Sequence, residues 1–287
     1  MTMVSLGTKN IKGMIDIASR KKCHNTHPRK DLHFWVARLA DCMPPMFTLI
    51  DGIYTSECGP NIDGHMHRSD ILVASRDLLA ADMVGAKVLG YDPADVPHLA
   101  IAAANHDRLT DLSDVTVSGE SISAVARPHR YDFPYTPDGT LPLPMAQMGI
   151  YGLSYHKYDL SLCTYCADLT RTVMMAIAKA WRGTPWEDVE VLSGKVMEPS
   201  VGKKKTILFG KCIYQARKDH PAINEMIAVK GCPPKPADVC NALRKAGINV
   251  DPAIFENLDR LPEKLFKRYA GRPEFSDSFF TIDASTG

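Results

Sequence analysis

Nowhere in the 287 residues does an uninterrupted apolar run approach the length of a membrane-spanning helix. No membrane span is expected. Charge of one sign is missing as well: 34 lysines and arginines stand against 33 aspartates and glutamates, a formal net charge of +1. No global field therefore favours nucleic acid or a membrane surface as partner. The first residues, MTMVSLGTKNIKGMIDIASRKK, hold neither the compact apolar core nor the cleavage site of a signal peptide. The expected location is cytoplasmic, where thiols stay reduced and structural disulfides are rare.

What is present is the composition of a globular chain, 45% hydrophobic and 23% charged, long enough for two domains or one large one. Eight cysteines are many for a reducing compartment, and they shift the reading towards metal binding or catalysis. Cys23, Cys42 and Cys58 fall in the first half, and Cys163, Cys166, Cys212, Cys232 and Cys240 in the second.

The second half is organised around KTILFGKCIYQARKDHPAINEMIAVKGCPPKPADVCNALRKAG, residues 205–247. Thr206–Phe209 and Met226–Val229 read as strands, each closed by a glycine that a cysteine soon follows: Gly210-Lys211-Cys212 and Gly231-Cys232. Upstream stands Cys163-Thr164-Tyr165-Cys166, between expected strands at 150–154 and 189–193 and ahead of a helix over 168–180. Leu169, Val173, Met174, Ile177 and Trp181 form that helix's apolar stripe, and its methionines read as core. A further helix should run from Pro236 to Gly247, with Cys240 as a small buried hydrophobe. Helices after Asp251-Pro252 and near 262–269 would cap the domain. The four thiols then lie on loops beyond the carboxyl ends of strands, where open α/β sheets bind ligands.

A lone Cys-x-x-Cys says little. Haem attachment would need a histidine after Cys166, and a zinc ribbon a second close pair. Thioredoxin-like chemistry leaves Cys212 and Cys232 without a role. A [4Fe–4S] cubane tolerates this two-plus-one-plus-one pattern, so Cys163, Cys166, Cys212 and Cys232 are the expected metal ligands. Structural zinc and plain buried thiols are the alternatives. Gly210 and Gly231 would let the backbone approach the cofactor closely, and Pro233-Pro234 removes two competing donors.

The first half alternates strand and helix signals. A helix over 31–40 is capped by Asp31, and 46–53 and 71–74 read as buried strands flanking a Gly-rich loop. Helices over 77–89 and 94–104 and a strand at 115–118 complete an α/β pattern. Its loops collect Cys23, His24 and His27, the pair His65 and His67, and the carboxylates Asp51, Glu57 and Asp77. The histidines read either as solvated loop residues or as metal ligands, and Asp77 either as a helix cap or as part of a site. Residues 127–144, RPHRYDFPYTPDGTLPLP, have no helical period and read as a connector.

Two resemblances add to this. TKNIKG (8–13), LIDGIYTSECGPNIDG (49–64), ILVASRDLLAADMVGAKVLG (71–90) and VTVSGE (115–120) resemble the family known as domain of unknown function 362, over about residues 5–120. Members are sometimes fused to iron–sulfur modules. They usually carry more chain before the Lys-Asn motif, which implies an N-terminally shortened domain here. The resemblance raises Asp51, Glu57 and Asp77 as catalytic or ligand-binding candidates. CTYCAD, FGKC and KGCPPKP, in that order over about residues 150–247, are similar to the small subunit of nickel–iron hydrogenases and the homologous subunit of respiratory complex I. There such motifs bind one [4Fe–4S] cluster on a flavodoxin-like sheet, which implies Cys163, Cys166, Cys212 and Cys232 as ligands and sets Asp168 at the acidic position. Tyr165 and Lys211 stand where small residues are common, so the likeness supports a cluster and not hydrogenase activity.

The expected architecture is two α/β domains: 1–126, a connector over 127–148, and a cysteine-rich domain over 149–287 ending in a helical cap. The expected function is a redox protein whose cluster exchanges electrons with a site in the first domain. A redox partner protein or a small-molecule substrate would complete it, and a homo-oligomer is compatible with the sequence. The alternative is a non-redox binding or scaffold protein held by zinc or a cluster.

Overall fold

The computed structural model describes residues 2–58, 64–258 and 266–276. The chain mixes helices with strands, and its centre is a parallel four-stranded sheet, so it is of the α/β class.

The first half begins with three short helices: α1 (Gly7–Ile11), α2 (Ile17–Cys23) and α3 (Leu32–Ala40). The Asp16 carboxylate accepts the Ser19 amide at the head of α2, and Asp31 accepts that of Phe34 at the head of α3. Two strands follow, β1 (Thr48–Glu57) and β2 (His65–Ser75), paired antiparallel from Thr48↔Ser75 to Glu57↔His65. The two short strands expected at 46–53 and 71–74 are thus arms of one long hairpin. Its polar halves pair as well as its apolar ones. The Gly-rich loop between them falls largely on 59–63, outside the described residues. Helix α4 (Leu78–Val88) packs on the hairpin, and α5 (Pro97–Asn105) packs on α3. Asp77 caps α4 by accepting the Ala80 amide at 3.0 Å. Gly90 ends it at φ +84°, where an added Cβ would lie 2.7 Å from Pro128 Cα. The strand expected at 115–118 does not form: the segment pairs with no strand among the described residues, and Thr116, Val117 and Ser118 are exposed.

Residues 127–148 are more than a tether. Helix α6 (Ile122–Val125) precedes this segment and packs on α4, and α7 (Leu143–Gln147) lies within it; Phe133, Leu141 and Met145 are buried in the core of the following sheet. The proline spacing that suggested a connector instead sets an irregular path that delivers three large apolar groups inward.

The sheet consists of β3 (Leu153–Tyr155), β4 (Val189–Leu192), β5 (Lys205–Phe209) and β6 (Glu225–Val229), all parallel and adjacent in chain order. A flavodoxin-like sheet reverses direction after its second strand. The described strands show no such reversal. Alternation along each strand separates two faces. Val189, Val191, Ile207 and Phe209 meet α8 (Thr164–Ala180) and α10 (Pro236–Lys245), whereas Leu192 and Leu208 meet α9 (Lys211–Arg217). Met174 and Cys240 lie in the first of these cores. Glu190 faces the α9 side fully buried, bonded by Thr206 Oγ1 at 2.8 Å and the Ser200 amide. Helix α11 (Ala253–Glu256) covers the end of α8; the helix expected near 262–269 falls mostly outside the described residues.

Candidate functional site

All four strands of the parallel sheet end at the same edge, and the loops leaving β3, β5 and β6 carry the four cysteines. After β3 the chain reaches Cys163, which occupies the cap position of α8, and Cys166 sits in that helix's first turn. The helix starts at Thr164, four residues earlier than the apolar stripe suggested, because Cys166 and Ala167 donate their amides to the Cys163 carbonyl. After β5 the chain turns at Gly210 and places Cys212 at the start of α9. After β6 it passes Gly231 to Cys232, which is joined to Pro233 by a cis peptide bond. The two later loops are tied together: Gly210 donates to the Val229 carbonyl at 2.9 Å and Lys211 to that of Gly231 at 3.2 Å. The loop after β4 is tied to the loop after β3: the Lys195 amide donates to Ser161 Oγ at 2.8 Å.

The thiols sense one another. Cys163 is pulled down, chiefly by a hydrogen bond from the Cys166 thiol; burial opposes this, and nearby amides and Lys195 reinforce it. The same bond, burial and negative charge on Cys163, Cys212 and Cys232 push Cys166 up. Burial raises Cys212 too, with Lys195 and Lys21 opposing. Cys166 Sγ lies 4.0 Å from the Phe209 carbonyl, and a Cβ on Gly210, whose φ is +107°, would come within 2.9 Å of that sulfur.

Cations from the first half reach this edge. Lys21 Nζ is 3.8 Å from Cys232 Sγ and 5.2 Å above the Tyr165 ring. Lys195 Nζ donates to the His24 carbonyl. His24 Nδ1 lies 3.0 Å from the Leu160 carbonyl and so donates to it, which leaves Nε2 to accept from Lys12 Nζ at 2.7 Å. Burial, then the charge on Lys12, brings His24 down to about 4, so it is neutral at pH 7. His24, a candidate solvated or metal-ligating histidine in the sequence, thus has both ring nitrogens occupied by protein partners; Lys12, Lys21 and Lys195 were not singled out in the sequence, and only contacts within the fold identify them.

The candidates of the first half do not converge. Asp51 lies mid-strand, exposed, and accepts the Ile53 amide. Glu57 closes the far end of the hairpin, bonded to the Arg130 amide at 3.1 Å and 3.7 Å from His67 Nε2. Asp77 lies beyond the opposite end, roughly 30 Å along the strand from Glu57 at ordinary strand rise, and pairs with Arg108 at 2.6 Å. Cys23 is buried in a small apolar cluster, and His27 and His65 are exposed. Among the described residues no three His, Cys, Asp or Glu side chains close on a point that would hold a single ion.

A cavity of about 380 Å³ lies between the hairpin, the first residues of the chain, α4 and residues 129–131. Asp51 lines it; Glu57 and Asp77 do not. Among the described residues no helix is long and apolar enough to cross a membrane.

Residues 1–87 match the family described as Domain of unknown function (DUF362). The match takes in α1 to α3, the hairpin and nearly all of α4, and stops short of VTVSGE. No curated protein and no solved structure matches the chain.

Proposed function

We propose that this is an iron–sulfur redox protein in which Cys163, Cys166, Cys212 and Cys232 hold one [4Fe–4S] cluster. Electrons would pass between it and a substrate site in the N-terminal half. The observation that carries the reading is the delivery of four mutually interacting thiols to one edge of a parallel sheet by three separate loops.

The residues present suit such a group. The donor set is thiol only, which favours iron–sulfur chemistry or zinc over hard cations. A cubane, several ångströms across, keeps its thiolates further apart than a single ion does. The lack of side-chain height at Gly210 leaves room beside Cys166, as close backbone approach to sulfide requires. Lys12, Lys21 and Lys195 offset the negative charge that four thiolates would bring together. The cluster, when bound, supplies one-electron transfer at a potential set by its surroundings. The chain's own part is to hold the thiolates, to tune them with these three lysines, and to shield three of the four, Cys232 being the exposed one.

The test is anaerobic purification followed by iron, zinc and acid-labile sulfide analysis and electron paramagnetic resonance after reduction. Iron and sulfide in equal amounts and a signal on reduction are expected. Replacing any one of the four cysteines by serine should cost most of the iron, whereas Cys42→Ser and Cys240→Ala should retain it. Zinc without sulfide, or equal iron in all variants, would overturn the reading.

A further inference from the structure

The cavity of the N-terminal half has the volume of a small-molecule site. Most of its wall is apolar, with Leu6, Ile50 and Val73 among the contributors, and Tyr54, Tyr91 and Tyr131 add aromatic faces. Two cations stand in that wall: Arg130 is largely exposed and has Glu57 3.8 Å away as its counter-charge, whereas Lys9 has none among the described residues. Lys9, on α1, is partly buried and donates from Nζ to Ser5 Oγ at 2.5 Å. Among the described residues it forms no ion pair; the ion pairs of this half go to Arg38, Arg68, Lys87, Arg108, Arg130 and histidines.

Its charged neighbours make matters worse rather than better. Burial and then the charge on Lys12 bring Lys9 down to about 8, and no acidic group opposes them. His33 on α3 and His98 on α5 also feel Lys9, and burial keeps both neutral. An ammonium held in an apolar wall without a counter-charge carries a desolvation cost that an anion in the cavity would offset. Asp51, on the same wall, would meet any second negative charge on the occupant.

We propose that this cavity binds an amphipathic organic monoanion, its carboxylate or sulfonate-like head on Lys9 and its apolar or aromatic body against Ile50, Val73 and the tyrosines. The inference builds on the reading that the N-terminal half carries the substrate site, and it names the class of molecule that site takes. It does not require the cluster to be present for binding to be measured.

The test uses two dyes of similar body on the full chain, purified anaerobically with its iron content determined on the same sample. One is 8-anilinonaphthalene-1-sulfonate, and the other is the uncharged N-phenyl-1-naphthylamine. The native protein should bind the sulfonate at least about tenfold more tightly, a difference equal to about 1.4 kcal/mol. Lys9→Met should weaken the sulfonate by a similar factor and leave the neutral dye unchanged, and Lys9→Arg should retain both. Equal affinities for the two dyes on the native chain, no binding of either, or an unchanged sulfonate affinity in Lys9→Met would each defeat the proposal. The native comparison needs no variant, so misfolding of Lys9→Met would not shield it. A chain without iron that still discriminates between the dyes removes the cluster reading alone; a loaded chain that does not discriminate removes this inference alone.

Discussion

His98 is fully buried, its ring stacked on that of His33 at 6.2 Å, with no partner for either ring nitrogen among the described residues. Burial, then His33 and Lys9, brings it down to about 3 from 6.5. Between those values the unfolded chain binds a proton that the folded chain does not. Stability from this group is therefore complete above pH 6.5 and is lost as pH falls towards 3. The urea midpoint should drop between pH 7.5 and pH 5, and His98→Met should drop less; identical slopes would assign the acid sensitivity elsewhere. His24, at about 4, adds to the same loss. At this scale the sequence was informative where the partner is close along the chain. The caps at Asp31 and Asp77 and the buried thiol of Cys240 follow from spacing to neighbouring residues. The partners of Lys21 and Lys195 lie far off in sequence, and no local pattern points to them.

Helix α1 is only five residues long and could not stand alone. It is held by Asp82, whose buried carboxylate accepts the Gly7 amide at 2.7 Å and the Thr8 amide at 2.8 Å from across the fold. Asp82→Ala leaves two amides at that helix start without their acceptor. It should cost about 1–3 kcal/mol, read as a lower denaturant midpoint with an unchanged slope. Because α1 carries Lys9, the same variant should also weaken sulfonate-dye binding; unchanged stability would mean that water replaces the carboxylate. Elements were legible where period and punctuation agree, as in α3, α4 and the four parallel strands. The hairpin was not. Its strands run on through Tyr54–Glu57 and His65–Asp70, where polar side chains hide the pattern, and Leu49 and Leu72 face solvent although apolar runs suggest burial. The segment at 115–118 failed the other way, since alternation alone makes no strand without an edge to join.

In the whole molecule, α2 and its flanks rest on the cysteine loops through Lys12, Lys21 and His24, while the Pro-rich segment threads the sheet core. The two halves are therefore coupled at the thiols. If the proposed cluster is bound, removing it with a chelator under reducing conditions should raise amide hydrogen exchange in residues 159–166, 194–195, 210–212 and 230–235 and in α2. The hairpin and the sheet interior should keep their protection. Unchanged exchange in α2 would show that the contact does not depend on the bound group; loss in the hairpin as well would falsify the separation drawn here. The α/β class and the common edge for four thiols could be read from glycine-cysteine punctuation after apolar runs. The strand order, and the arrival of lysines from the other half, depend on packing that no single stretch encodes.

Cys232 is the exposed member of the four, at the corner beneath Lys21. Dioxygen and peroxide arriving from bulk water meet that sulfur first, because the other three are partly covered. With the proposed cluster bound, protein handled in air should accordingly fade from one corner inward, and a sulfenic or sulfinic adduct on Cys232 would mark the first step of that decay in a peptide mass map.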